Sequence, residues 1–378
     1  MLLQNAGIQN KRLLGIDLFR GIAAFGVVVI HGLGEIPRDE EALALSNFFV
    51  IFCVPFFLIT SFYFSSNLLL SKNTKAYLNN RTKRIIFPYL AWTIIYLLAR
   101  FIGSLIGNQE SFHRLVADPI NIIFFGASGV QLYFLPMLLC GSLAVILTTK
   151  ILKNIQNYFL LIFCFLLSIY IFDLMSTTGN DFVLGKGIAF KQIIDTSSFT
   201  NLWLFQFMRL ILVILSWSIK CIPYIIFSII INKHQSQKIL YKYMLVDPKN
   251  LSIKLLLWLF VPLFIGLILL SKIHLLYLLL PYMLFIYAIL ISRLISQNTL
   301  ISSIANKLGY FSFGIYLSHA LITAGFLPIM VKLYPKIWAF ELSPLTLIIF
   351  SMIIFFISLI ITHLISLNKT AARFLLAI

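Results

Sequence analysis

A single apolar stretch near the start of the chain, LLGIDLFRGIAAFGVVVIHGL from Leu13 to Leu33, limits what the rest can fold into. It is long enough to cross a bilayer, since about 20 helical residues span a hydrocarbon core of about 30 Å. Yet it carries Asp17, Arg20 and His31. Ionisable groups at such depth cost at least ~2.5–3.5 kcal/mol each, so they face protein or a water-filled hollow rather than lipid. Arg20 and His31 are eleven residues apart, which at ~100° per residue is three turns plus about 20°. Both therefore project from one face, roughly 16 Å apart along the axis, and Asp17 lies one turn before Arg20 on the same side. The spacing predicts a helix with an ionisable residue at each end of a single polar seam.

The remainder agrees with a membrane chain. Of 378 residues, 61% are hydrophobic and 11% charged, and the mean hydropathy is +0.99, which excludes a soluble globular domain. Apolar runs predict about ten transmembrane helices, near 13–33, 45–70, 84–107, 119–149, 157–174, 202–231, 251–271, 274–295, 308–330 and 345–367. The fourth is too long for one crossing and is expected to break at Gly126 to Gly129. The sixth must tilt, kink or project from the membrane. The first run is too long for a signal-peptide core and lacks a small-residue cleavage site, so it reads as a retained helix. No repeat or long extramembrane segment interrupts the pattern, and residues 1–378 read as one integral-membrane domain with its core near 13–367 and no extramembrane catalytic domain. The longest outer loop, Met175 to Thr200, is polar and glycine-bearing, and suits an outer vestibule.

The net charge of +17 belongs to loops between spans, which points to orientation and anionic lipid rather than nucleic acid. Lys11, Arg12, the Lys72 to Arg84 loop, the Lys233 to Lys254 loop, Lys369 and Arg373 fall on one set of alternate segments. Glu35, Asp39, Glu40, Glu41, Glu110 and Asp118 fall on the other. The positive-inside rule then places both termini in the cytoplasm. Cys53, Cys140, Cys164 and Cys221 lie in apolar runs without a CxxC pair, so they read as packing residues, and the histidines form no metal-ligand pattern.

Among residues able to carry chemistry, Arg81 and Arg84 sit at i and i+3 at the cytoplasmic start of the third span, a fork suited to phosphate oxygens. Basic anchoring of a helix end explains the same residues without any ligand. Arg209 and Lys220 repeat the eleven-residue interval in the sixth span. They could bind an anionic substrate or simply pair with acids. Tyr316 and His319 are candidate hydrogen-bonding groups late in the chain.

Read together, these spacings resemble the acyltransferase family 3 membrane O-acyltransferases. GIDLFRGIAAFGVVVIHG resembles that family's first helix, VPFFLITSFYF its second, GVQLYFLPMLL its aromatic-Leu-Pro segment, and LGYFSFGIYLSHALI its late helix with Tyr-Leu-x-His. Thr60 and Ser61 stand where a Ser-Gly pair is usual, and Phe313 where tyrosine is common. The resemblance implies a bacterial inner-membrane, multi-pass enzyme. It would move an acyl group, most commonly acetyl from acetyl-CoA, to a hydroxyl of an envelope glycan, polysaccharide or lipid-linked sugar, without a metal.

In that reading Arg81 and Arg84 hold the donor's phosphates, and Arg20, oriented by Asp17, positions the donor. His31, with an unperturbed pKa of about 6.5, acts as general base or transient acyl carrier. Tyr316, His319, Lys220 and Arg209 are possible substrate contacts. A transporter or flippase of an anionic glycan or lipid intermediate is the competing expectation, because a basic seam through ten helices suits that task too.

Overall fold

The computed structural model describes residues 12–32, 36–71, 74–106, 109–196, 201–233, 274–333 and 342–377. Among these, nine helices are long and apolar enough to cross a membrane. They coincide with nine of the ten expected spans; the expected span at 251–271 lies outside the described residues. In chain order the helices are α1 (Leu14–His31), α2 (Glu40–Ser71), α3 (Thr74–Ile106), α4 (Gln109–Val116), α5 (Pro119–Phe125), α6 (Phe134–Leu152), α7 (Tyr158–Thr177), α8 (Lys191–Thr196), α9 (Leu202–Asn232), α10 (His274–Gln297), α11 (Thr299–Leu333), α12 (Pro344–Leu367) and α13 (Lys369–Ala371). A π-helical turn, Ala372–Leu376, follows α13. The only β-type pairings among the described residues are two isolated bridges, Arg38 with Leu342 and Val183 with Ile188. The protein is an all-α polytopic membrane protein.

The helix that carries the charges is the hub. α1 packs against α11, α2, α10 and α12, and 61% of its span is buried, against 22% for α7 at the rim. Small residues make this possible, because glycine lets helix backbones approach closely. Gly15 sits so near α10 that an added Cβ would overlap the Ala288 carbonyl, and its N–H donates to Ser292 Oγ at 3.0 Å. Around the hub, α6 and α9 pack on each other and on α2, and α7 packs on α9. The outer surface is left to Leu, Ile and Phe side chains such as Leu105, Phe159 and Ile360, which are exposed in the way lipid-facing residues must be.

The fourth expected span is broken as its glycines suggest. Gly126 takes a left-handed conformation, φ 74°, at the C-terminal end of α5. Gln131, Leu132 and Tyr133 occupy the non-helical link before α6, and backbone carbonyls of the broken segment accept from Arg100 and Tyr316 of other helices. The sixth span is one continuous helix, α9, of 31 residues with Pro223 inside it.

The two ends of the bundle differ in charge. At one end Arg12 pairs with Asp17 and reaches the Asn306 carbonyl near the start of α11. The C-terminal turn packs on the first half of α3, where Trp92 Nε1 donates to Leu375 O at 2.9 Å and Phe87 meets Phe374. This end therefore gathers Arg12, Arg81, Lys83, Arg84, Lys369 and Arg373. The opposite end carries Asp39, Glu40 and Glu41 before and at the start of α2, Asp118 before α5, and Asp181 in the loop after α7. The positive-inside rule assigns the basic end to the cytoplasm.

Replacing Gly15 with alanine is expected to lower stability by about 1–3 kcal/mol, because the new methyl meets backbone that cannot move aside. Thermal unfolding in detergent reads this as a lower midpoint. Gly103→Ala, where an added Cβ meets open space, does not lower it.

Candidate functional site

Two cavities enter the bundle from opposite ends, and each exposes one of the ionisable residues of α1. The cavity at the basic end encloses about 650 Å³ and is lined by Arg20, Arg81 and Arg84, with Thr60, Ser61, Tyr77 and Asn80 among the polar side chains around them. The cavity at the acidic end encloses about 1030 Å³ and is lined by His31, Asp173, Asp181 and Lys220, with a wall of Tyr133, Tyr224, Tyr282 and Tyr316.

The expected single seam is interrupted between them. Phe57 and Phe134 face the basic-end cavity and Tyr316 faces the other. Their rings meet at 6.3 Å for Phe57 and Phe134, 5.9 Å for Phe57 and Tyr316, and 5.4 Å for Phe134 and Tyr316. Three large rings in mutual contact form an apolar septum between the two hollows. The difference from the expectation arises because helical periodicity places side chains on a face but does not reveal what other helices insert between them.

At the basic end, two helices supply the cations, Arg20 from α1 and Arg81 and Arg84 from α3. Arg20 is held 3.5 Å from Asp17 Oδ1, one turn earlier on α1, and Asp17 is itself buried and shared with Arg12. Asp17 does not line the cavity; it fixes Arg20. The Arg81 guanidinium donates through Nε to Ser142 Oγ of α6 at 3.1 Å and through Nη2 to Ser61 Oγ of α2. Two of its faces are thus committed and the rest is aimed inward. Ser61, one of the departures from the family pattern, is one of the two residues that hold it. Arg84, one turn further along α3, is exposed at the mouth. Phe313, the other departure, lines the same cavity.

At the acidic end, His31 is pinned by a residue that sequence reasoning missed. Arg38 donates to the carbonyls of Ile30 at 2.8 Å and Gly32 at 3.1 Å, and to Ser46 Oγ at 2.7 Å. A cation on the last carbonyls of a helix satisfies orphan acceptors and complements the helix dipole. Its own segment is tied to the start of α12 by Leu342 N–H donating to Pro37 O at 2.8 Å.

The imidazole of His31 lies beside that of His319 on α11, with ring centroids 5.5 Å apart and planes 30° from parallel. His319 is fully buried; its Nδ1 donates to Tyr316 O at 2.7 Å, since a carbonyl can only accept. Tyr316 donates its hydroxyl to the Gln131 carbonyl at 2.5 Å. Gln131 Nε2 in turn donates to Tyr96 Oη at 2.5 Å and Leu317 O at 3.1 Å. The link between α5 and α6 is thereby clamped to α3 and α11 behind the histidines. Gln131 could not be found from the sequence, since a lone glutamine in a broken span carries no spacing signal.

The two cations of α9 have separate fates. Lys220 is paired with Asp181 at 2.8 Å, and both line the acidic-end cavity; Ser216 also donates to that carboxylate at 3.3 Å. The loop that carries Asp181 turns into the bundle through left-handed Gly179, Gly185 and Gly187, so the vestibule expected from this loop forms part of the cavity wall. Arg209 lines neither cavity. It is buried, paired with Asp118 at 2.8 Å, donates to Gly187 O at 2.7 Å and Lys186 O at 3.0 Å, and covers the Phe125 ring. A shared helical face therefore did not mean a shared site. Arg100 donates to Ser128 O at 2.7 Å. All four cysteines are free thiols.

The fold and the two cavities define a polytopic membrane protein that presents a cationic hollow at its basic end and an imidazole pair in a polar and aromatic hollow at the other. A family model described as an acyltransferase domain, that of acyltransferase family 3, matches residues 13–366. The chain belongs to that family, and its class of activity is membrane acyl transfer. No curated protein and no solved structure gives a significant match.

Arg209→Gln is expected to cost about 2–3 kcal/mol of stability, because the Asp118 carboxylate and two loop carbonyls lose a charged donor. Equilibrium unfolding should detect the loss, while binding at the basic-end cavity is unchanged in the folded fraction.

Proposed function

We propose that the protein transfers an acyl group, acetyl in the first instance, from cytoplasmic acyl-CoA to a hydroxyl of an envelope glycan, polysaccharide or lipid-linked sugar in a bacterial inner membrane. The observation that carries this reading is the division of α1 between two cavities. Arg20 stands with Arg81 and Arg84 at the basic end, and His31 stands in the other hollow. Acyl-CoA is made in the cytoplasm and is rich in phosphate oxygens. Guanidinium groups recognise phosphate by charge-assisted, often bidentate hydrogen bonds. Arg81 is pre-oriented by Ser61 and Ser142, so little freedom is lost when an anion binds. Arg84 at the mouth steers the donor in.

The cavity at the acidic end suits a polyhydroxylated acceptor. Tyrosine rings offer flat faces to the apolar sides of sugars, and Asp173, Asp181 and Lys220 offer polar contacts around them. In the reaction, His31 takes the proton from an acceptor hydroxyl as its oxygen attacks the thioester carbonyl. The tetrahedral intermediate collapses, the C–S bond breaks, and the departing CoA sulfur takes the proton back from His31. If His31 instead carries the acyl group, a His31 N–C bond forms as the C–S bond breaks and CoA leaves as the thiol, and that N–C bond then breaks as the acceptor oxygen forms the ester and its proton returns to the imidazole. Either route requires the thioester arm to pass Phe57, Phe134 and Tyr316, because these rings part the donor's cavity from His31.

Two cavities separated by a thin septum is also the geometry of a carrier, which keeps transport of an unmodified glycan or lipid intermediate as the second reading. Purified protein given labelled acetyl-CoA and a glycan acceptor should release CoA and label the acceptor. His31→Ala should reduce that rate by about 10²–10⁴-fold, the usual worth of a positioned base. Arg84→Ala should weaken the donor about tenfold, the equivalent of one charge-assisted hydrogen bond, with turnover at saturation retained. Glycan flux across vesicles that persists in His31→Ala, with no CoA released by the unaltered protein, would overturn acyl transfer in favour of transport.

A further inference from the structure

We propose that His319 is a positioning residue for His31: its Nε2 is a built-in acceptor that fixes the tautomer of His31 and holds the charged form of that ring during acyl transfer. The inference rests on the proposed role of His31, and it arises from one unexplained atom. His319 Nε2 is fully buried and has no hydrogen-bond partner. A polar atom left so costs about 1–3 kcal/mol, and such groups in native structures call for an explanation.

The protonation of His319 follows from its other nitrogen. Nδ1 lies 2.7 Å from the Tyr316 carbonyl, and that oxygen can only accept, so Nδ1 carries the hydrogen. In the neutral ring Nε2 is then a bare lone pair. The tautomer is locked from behind, because Tyr316 is itself held by its hydroxyl to the Gln131 carbonyl and by its ring against Phe57 and Phe134. Thr323 Oγ1 donates to the His319 carbonyl at 3.0 Å, which steadies the same turn of α11.

The group closest in chemistry to that lone pair is the ring of His31, 5.5 Å away between centroids. Two imidazoles joined by a single N–H···N bond have centroids roughly 5 Å apart, given a donor–acceptor distance of about 2.9 Å. In the structure the two rings are stacked, with planes 30° apart, so the bond forms when the His31 ring turns until one of its N–H groups points at His319 Nε2. His31 has the freedom for it, since its ring borders the cavity while its backbone is fixed by Arg38.

With one N–H donated to His319, the other nitrogen of His31 is left as the lone pair facing the acceptor. When it takes the acceptor's proton, the positive charge is shared with a hydrogen bond already in place. No proton moves to His319. The arrangement performs with a neutral imidazole what a carboxylate does behind the base of a hydrolase triad, and it avoids burying a net negative charge in the membrane interior.

The two nitrogens of His319 separate this role from a purely structural one. Glutamine can place its side-chain oxygen where Nε2 stands, whereas asparagine can replace only the Nδ1–H donor to Tyr316. The expected order of turnover is unaltered protein, then His319→Gln within about tenfold, then His319→Asn and His319→Ala down by about 10²-fold, with the KM for acetyl-CoA unchanged throughout. In parallel, diethyl pyrocarbonate modification of His31, followed by mass spectrometry on full-length protein in detergent without substrates, should slow several-fold in the Asn and Ala variants and recover in Gln. Recovery by Asn rather than Gln, or no change on His319→Ala, overturns the inference. The labelling needs no acyl transfer, so a failure of the enzyme reading shows itself separately, as loss of acetyl-CoA turnover in the unaltered protein. Should the variants not fold, ring-15N NMR of histidine-labelled unaltered protein decides: an unprotonated His319 Nε2 supports the role, and a protonated one ends it.

Discussion

The cost of placing ionisable side chains in hydrocarbon governs this structure. Asp17, Arg20 and His31 cannot face lipid, so the helix that bears them has to lie inside, and four other helices have to close around it. Glycines such as Gly15 answer the resulting demand for close approach. The cations are then met locally: Asp17 takes Arg20 and Arg12 together, Asp118 takes Arg209, and Asp181 takes Lys220. Acidic residues are few in this chain, and these three are each committed to a cation within the bundle or at its edge. The cations most available at the basic-end mouth are on α3, where Arg84 has no acid beside it among the described ion pairs.

The septum of Phe57, Phe134 and Tyr316 has a physical logic of its own. A continuous polar channel from one face of the membrane to the other would leak ions, whereas three aromatic rings in contact give an apolar partition one side-chain layer thick. Tyr316 belongs to both sides of this design. Its ring completes the partition, while its carbonyl sets the tautomer of His319 and its hydroxyl ties α11 to the broken segment between α5 and α6. The break at Gly126 leaves the Gln131 carbonyl at that depth able to accept from Tyr316 in addition to the Phe134 N–H of its own turn.

Much of the fold was legible from hydropathy and charge. Nine spans fall where apolar runs placed them, and the broken fourth was announced by Gly126 and Gly129, because glycine at a left-handed position ends a helix whatever surrounds it. The gathering of the acidic residues Asp39, Glu40, Glu41, Asp118 and Asp181 at the end opposite Arg81, Lys83 and Arg84 followed from the alternation of loops. The site was legible only in part. Arg20 and His31 each line a cavity, though not the same one, and Arg81 and Arg84 line one cavity with Arg20. The same spacing argument applied to Arg209 and Lys220 gave no shared site, since Asp118 and Asp181 come from distant segments that periodicity cannot see. Arg38 and Gln131 gave no signal, because their partners are backbone carbonyls together with one hydroxyl each, of Ser46 and Tyr96, and none of these stands in a recognisable spacing with them.

The sequence by itself determined that the chain is a helical membrane protein, which end is basic, and that its first helix must be central, for these follow from local composition and from the energy of charge in lipid. Tertiary structure decided that the polar seam is two cavities rather than one, that Arg209 is a structural residue, and that His31 stands beside a second imidazole of fixed tautomer. Those outcomes depend on which side chains of different helices come to share a few cubic ångströms, and no one-dimensional pattern encodes that.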